Sequence, residues 1–256
     1  MHIIDTHTHL DHLENLDECL KAADAAGVEA IVTVGVDWAA NKKNLEIKKK
    51  TSRPRIYTAL GIHPGNINMD EVPGCIQWIR ENIKEAVAIG ETGLDYWYKW
   101  VKKDDAKKAE QRNVFEMQLV LGQEFDLPVI AHSRGAWADC LSMMKAAKIK
   151  RGLFHWYSGP VDILNQILEA GYYVSASPSL AYSPQSREAI QHAPIERTLI
   201  ETDSPVHYKI SETEDFWAQP KDVFRTLDAY SRLKNVDAQV AVEKLNSNAR
   251  EFFRLK

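Results

Sequence analysis

"KKAEQRNVFEMQLVLGQEFDLPVIAHS", running from Lys107 to Ser133, holds a complete helix-to-strand unit. Val114, Met117, Leu121 and Phe125 recur at steps of three and four residues, the spacing of one helical face. The run that follows, "LPVIAH" (127–132), is short and apolar and closes on His132. The same alternation continues in both directions. Short β-rich runs stand at "HIIDT" (2–6), "AIVTVGV" (30–36), "IYTALGI" (56–62), "AVAIGE" (86–91), "RGLFHW" (151–156), "YYVSAS" (172–177) and "TLIETD" (198–203). Helical spacing fills the gaps, as in "LENLDECLKAADAAG" (13–27), "VDILNQILEAG" (161–171) and "SPQSREAIQHA" (183–193), with Gly27 and Gly171 where a helix C-cap favours glycine.

Eight strands alternating with about eight helices are the arithmetic of a (β/α)8 TIM barrel. We expect one such domain over residues 1–256. Continuous apolar strands fit a parallel sheet covered by helices. A doubly wound open sheet is the competing architecture, weakened by the lack of a GxGxxG or P-loop fingerprint. Bulk composition agrees with a soluble globular protein with a sizeable core. The formal charge is −4, with 45% hydrophobic and 27% charged residues, so no basic excess advertises bulk nucleic-acid binding. Cys19, Cys75 and Cys140 form no CxxC pair, which favours a reducing compartment. The first strand starts too early for a signal peptide, and no apolar run is long enough to span a membrane. A cytoplasmic location is expected, with no membrane association and no obligate protein partner evident.

In a parallel barrel the working groups sit at the C-terminal ends of strands. Strand one closes on Asp5, His7 and His9; side chains two apart share a face, so both imidazoles should meet at the barrel mouth. Strand four ends in Glu91, strand five in His132, strand six in His155 and strand eight in Asp203. Four imidazoles and two carboxylates crowded on one rim are costly unless a cation joins them. Mixed histidine and carboxylate ligands suit zinc, manganese, iron or, with more water, magnesium. Six ligands exceed the needs of one ion with an open position. Glu91 has two oxygens and can bridge two divalent metal ions roughly 3.5–4 Å apart, with a water between them. Each residue alone has a plain alternative: HxH pairs are common, and Glu91 or Asp203 could serve an ion pair or a helix cap. His2, His12, His192 and His207 fall outside the strand ends and read as structural or solvated. His63, in "GIHPG", faces the same rim either as a contact to ligands or substrate or as loop structure.

The stretches "IIDTHTHL", "ALGIHPG", "AIGETGLDYW", "LPVIAHSR", "HWYSG" and "LIETDSP" resemble the TatD family of metal-dependent deoxyribonucleases, within the amidohydrolase superfamily of TIM barrels. "NSNAREFF", with Asn248, is similar to the family's closing helix, so the likeness spans nearly the whole chain. The resemblance implies a first metal on His7, His9, Glu91 and Asp203 and a second on Glu91, His132 and His155. Three stretches depart from the pattern. Trp156 and Tyr157 replace cysteine and phenylalanine and are expected to reshape the pocket floor. Ser204 stands where alanine is common. The loop "VHYKISETEDFWAQP" (206–220) is unlike the family's, which puts substrate choice in question more than metal binding.

The expected activity is hydrolysis of an ester bond by a two-metal-activated water: a 3′→5′ exonuclease on single-stranded DNA, and on RNA by extension. Asp203 would be general base and Glu91 the bridging catalytic carboxylate. Arg134 could grip a neighbouring phosphate or make only a surface salt bridge. Ser158 and Gly159 could donate to phosphate, and Asp5 could orient a ligand histidine. The loop "LDYWYKWVKKDDAKK", with Tyr96 as a substrate contact, could stack bases, or it could plug the barrel top with its lysines solvated. The alternative chemistry on the same metals is deacylation of D-aminoacyl-tRNA or another amide or ester, and a non-catalytic scaffold is a third reading.

Overall fold

The computed structural model describes residues 1–255. Its chain order is β1 (Ile3–Thr8), α1 (Leu16–Ala26), β2 (Val28–Val34), α2 (Trp38–Lys50), β3 (Arg55–Leu60), α3 (Val72–Glu81), β4 (Ala86–Gly93) and α4 (Asp105–Glu124), then β5 (Val129–His132), α5 (Trp137–Ala146), β6 (Gly152–Phe154), α6 (Val161–Glu169), β7 (Tyr173–Ala176), α7 (Pro184–His192) and β8 (Thr198–Ile200). A hairpin of β9 (His207–Lys209) and β10 (Asp215–Trp217) follows, and the chain closes with α8 (Val223–Lys234) and α9 (Ala238–Phe253). Strands β1 to β8 pair in sequential order, all parallel, as a TIM barrel requires. Gly27 ends α1 in the left-handed region, φ 99°, donating to the carbonyls of Ala23 and Asp24. No helix among the described residues is long and apolar enough to cross a membrane.

The barrel closes between β1 and β8 mostly beyond the regular ladder. Thr6 Oγ1 donates to the Ile200 carbonyl (2.7 Å), the Asp203 N–H to the His7 carbonyl (2.9 Å), and the His9 N–H to the Ser204 carbonyl (2.8 Å). Asp5 is fully buried and accepts from the Thr202 N–H (3.0 Å) and hydroxyl (2.6 Å). The sequence expectation that Asp5 orients a histidine ring is therefore corrected. Its carboxylate clamps one strand end to the other, and the only group of His7 it meets is the backbone N–H, at 3.4 Å.

Each strand contributes a residue to the interior: Ile4, Val32, Ala59, Ala88, Ile130, Leu153, Tyr173 and Leu199 pack together. Ala249, Phe252 and Phe253 of α9 join this cluster. Asn246 and Asn248 hold α9 there through the Ile4 N–H and His2 carbonyl, and through the Ile195 and Thr198 carbonyls. A second, larger cluster lies between sheet and helices. On α4, Met117 is exposed rather than in the stripe its spacing suggests; Val114, Phe115, Gln118 and Leu121 are buried. Two of the inward residues are glutamines with work to do on the loops above. Gln118 accepts from the Ile62 N–H (2.7 Å) and donates to the Ile62 carbonyl (3.0 Å). Gln111 accepts from the Asp95 N–H (3.0 Å) and donates to the Pro64 carbonyl (3.2 Å). Helix α4 thus pins the loops that carry His63 and Asp95.

Candidate functional site

Strand alternation carries the interior face from Ile130 to His132 within β5; His155 and Asp203 stand an even count beyond the interior Leu153 and Leu199, just past the ends of β6 and β8. Ile4 to His7 and Ala88 to Glu91 are odd steps and would point outward on an ideal strand. In both places the pairing register shifts within the interval, between Asp5 and Thr8 and between Ile89 and Thr92. Such irregularities re-aim a side chain at the cost of a ladder bond. The six side chains expected at the rim therefore come together by two routes.

Glu91 is buried at their centre, and its two oxygens face different partners. Oε2 lies 3.4 Å from His7 Nε2 and 3.5 Å from His9 Nε2. Oε1 lies 2.8 Å from His155 Nε2, 2.9 Å from His132 Nδ1 and 3.6 Å from His63 Nε2. Asp203 Oδ1 completes the first set, 3.4 Å from His7 Nε2 and 3.2 Å from His9 Nε2. Asp203 holds a left-handed backbone, φ 51°, which Asp tolerates better than most residues.

Behind the imidazoles stand two acids that the sequence reading passed over. Asp95 Oδ2 lies 2.8 Å from His132 Nε2, and Glu201 Oε1 lies 3.3 Å from His155 Nδ1. Ser175 donates to the other Glu201 oxygen at 2.5 Å. A metal-ligating histidine normally gives its second N–H to such an acceptor, so two imidazoles at strand ends were themselves the signal to look for two more acids. His63 has the reverse arrangement. Its Nδ1 accepts the Gly65 N–H (2.9 Å), so the neutral ring carries its proton on Nε2, toward Glu91. Burial, outweighing the attraction of Glu91, lowers the His63 pKa to about 3 and keeps it neutral.

The charges of the cluster are poised for a cation. Burial opposes ionisation of Glu91 and Asp203, yet the surrounding imidazoles prevail. The charge of His155 leads in holding Glu91 well below the usual carboxylate range, with hydrogen bonds from His132 and His155 adding to it, and a hydrogen bond from His9 leads in bringing Asp203 to about 2. Burial likewise opposes charge on His155, but Glu91 and Glu201 hold it well above its ordinary value. His7 is lowered, by burial and then by His155. Its Nδ1 and Nε2, and Nδ1 of His9, are buried without a hydrogen-bond partner. An unpartnered imidazole nitrogen facing two carboxylate oxygens at 3.4 Å costs about 1–3 kcal/mol as a buried polar group. A divalent cation would remove that penalty, and the donor set of ring nitrogens and carboxylate oxygens fits one. Among the described residues, histidine, glutamate and aspartate ligand atoms gather here in three groups: His7, His155 and Glu201; His7, His9 and Asp203; and, sharing no residue with these, His63, Glu91 and His132.

These residues open into a cavity of about 530 Å³ at the barrel mouth, also lined by His12, Tyr98, Arg134, Trp137, Trp156 and Ser158. Two expectations change here. Tyr96 is not among the lining residues; its hydroxyl donates to Asp139 (3.0 Å), and Tyr98 takes the place on the wall. His12 is no bystander, since it lines the cavity and stacks on His9 with centroids 5.4 Å apart. Arg134 makes the salt bridge that was one of its two readings: it donates to Asp95 through Nε (2.9 Å), stands with Nη2 2.8 Å from the same oxygen, and covers the Tyr98 ring. The loop after Glu91 both packs and projects: Leu94, Asp95 and Val101 are buried, while Trp97 and Trp100 are 63% and 48% exposed. The 206–220 segment forms the β9–β10 hairpin, from which Val206 reaches the cavity.

A parallel eight-stranded barrel with buried histidines and carboxylates at the C-terminal ends of its strands defines a TIM-barrel metal-dependent hydrolase. More particularly, the chain belongs to the TatD family, whose model, described as TatD related DNase, matches residues 4–254. It is similar to human deoxyribonuclease TATDN3, with 24% identity over 98% of this chain and 94% of that protein. It is also similar to YabD of Bacillus subtilis, described as an uncharacterized metal-dependent hydrolase, with 29% identity over 99% of both. Among solved structures, YJJV, a TatD homolog from Escherichia coli, superposes with a TM-score of 0.87 at 25% identity, covering 99% of this chain and 98% of that one.

Proposed function

We propose that this hydrolase is a deoxyribonuclease that removes nucleotides from the 3′ end of single-stranded DNA, using two divalent cations. The observation that carries the reading is the division of Glu91, one oxygen toward His7 and His9 and the other toward His132 and His155. A pair of divalent cations supplies Lewis acidity: it offsets charge on the phosphate oxygens and brings the pKa of a water toward neutrality. Everything else falls to side chains. His7, His9, Glu91 and Asp203 would hold one ion, and Glu91, His132 and His155 the other. Asp203 engages His7 and His9 through Oδ1, which leaves Oδ2 to accept the proton of the attacking water. Asp95 and Glu201 fix the rings of His132 and His155 by taking their outward N–H groups. His63, with its proton on Nε2, can donate to a non-bridging phosphate oxygen without changing protonation state. Arg134 and Ser158, both on the cavity wall, suit a neighbouring phosphate. DNA is favoured as substrate because the family and the human relative carry that activity in their descriptions.

The test pairs metal analysis with two substrates. Purified protein is expected to hold up to two divalent ions per chain and to shorten 3′-end-accessible single-stranded DNA stepwise in magnesium or manganese. Release of amino acid from D-aminoacyl-tRNA without shortening of DNA would overturn the nuclease reading in favour of a deacylase.

A further inference from the structure

Trp156 sits at the cavity beside His155 with an unusual backbone. Its φ is 41°, in the left-handed region where a bulky side chain is rare. Two sets of contacts hold it there. Its N–H donates to Ser175 Oγ (3.0 Å), the same hydroxyl that donates to Glu201 behind His155. Its indole rests on the Tyr208 ring, centroids 5.4 Å apart and planes 38° apart. Tyr208 belongs to β9 and is fully buried. Its hydroxyl donates to the Thr202 carbonyl (3.0 Å), and Phe216 and Tyr182 surround its ring at 5.6 and 6.4 Å. Two stretches that depart from the family pattern in sequence, the Trp156–Tyr157 pair and the 206–220 loop, therefore meet in space. They build one object, an indole buttressed from the hairpin.

The other aromatic side chains of the cavity are already engaged. Tyr98 is covered by the Arg134 guanidinium at 5.1 Å and by Trp100 at 5.3 Å, and Trp137 packs against Tyr157 at 6.4 Å. Among the described residues Trp156 has a single ring partner, which backs it from the hairpin. A π-face on the wall of a cavity of about 530 Å³, the size class that encloses one small ligand, is suited to a planar heterocycle. Base stacking of this kind is strong and tolerant of sequence.

We propose that Trp156, buttressed by Tyr208, is the stacking wall for the nucleobase next to the scissile bond, and that it makes the enzyme prefer substrates carrying a base there. The proposal rests on the phosphodiester reading above. Its test compares two end-labelled single-stranded oligodeoxynucleotides with manganese, one with an ordinary 3′-terminal nucleotide and one with an abasic terminal residue. The wild-type protein is expected to favour the first by about five- to hundred-fold in kcat/KM, chiefly through KM. Trp156→Leu should erase that preference by slowing only the base-bearing substrate, and Trp156→Phe should recover part of it. Trp156→Gly, which suits the left-handed backbone, serves where Leu impairs folding. Tyr208→Leu should weaken the preference less than the loss of the indole. Equal effects of the Trp156 variants on both substrates, or no wild-type preference, would overturn the stacking wall while leaving the nuclease reading intact. Cleavage of neither oligomer by the wild type would remove both.

Discussion

Replacing Gln118 with leucine tests whether α4 is a core helix of ordinary kind or a support for the site. The helix periodicity alone makes Met117 a core residue, and Met117→Ala would then cost the 2–5 kcal/mol of a buried truncation. The structure reverses this expectation. Met117 is exposed, so Met117→Ala should shift stability by under about 0.5 kcal/mol. Gln118 is fully buried and closes both backbone groups of Ile62, next to His63. Gln118→Leu leaves a buried N–H and a buried carbonyl unmet, each costing about 1–3 kcal/mol. The added apolar burial returns about 1–2 kcal/mol, so the net loss spans about 0–5 kcal/mol and is expected near its middle, at about 2–3 kcal/mol. Urea titration followed by circular dichroism reads this as a lower midpoint with unchanged slope. A Gln118→Leu protein within about 0.5 kcal/mol of wild type, or a Met117→Ala protein losing about 2 kcal/mol or more, would refute the assignment of α4's inward face.

Three further predictions concern the metal centre. Glu91→Ala removes the group common to both halves and should leave less than one ion per chain by elemental analysis after dialysis, with activity lost alongside. Asp203→Asn keeps an oxygen toward His7 and His9 and should reduce kcat about 10²–10⁴-fold, more than it lowers metal content. Asp95→Asn leaves the second site's direct ligands in place but loosens His132; metal affinity there should fall about 10–100-fold, read by titration of the apoprotein. Unaltered affinity in Asp95→Asn would sink the proposal that this acid orients the ring.

Much of this architecture is legible in the sequence because strand ends in a parallel barrel share one rim. His132, His155 and Asp203 lie an even number of residues beyond interior positions, and reading down each strand leads to them. What was not legible depended on partners distant in the chain. Asp95 and Glu201 stand within the quoted motifs, yet only the fold shows that their carboxylates turn toward His132 and His155. Tyr96 and Tyr98 are indistinguishable by spacing; the Tyr96 hydroxyl goes to Asp139, brought close by α5, and Tyr98 is left to line the cavity. His12 was hidden for a local reason: it meets His9, three residues back, only because a short turn at Leu10–His12 folds the chain there.

The two odd steps say why the centre lies where it does. An unbroken β1 and β4 would keep His7 and Glu91 out of the interior, leaving His132, His155 and Asp203 at the rim without the carboxylate that joins them. Shifting the register in those two strands gives up ladder regularity for one short interval each. It places Glu91 where both its oxygens have imidazole partners, and His7 where neither ring nitrogen finds a hydrogen bond. The Asp203 and Ser204 backbone that closes the barrel bonds to His7 and His9 at the same level, so barrel closure and the geometry of the first half-site are a single set of contacts. A substitution that loosens the β1–β8 seam, Asp5→Ala for example, should therefore weaken metal retention as well as lower stability, although Asp5 faces no ligand atom.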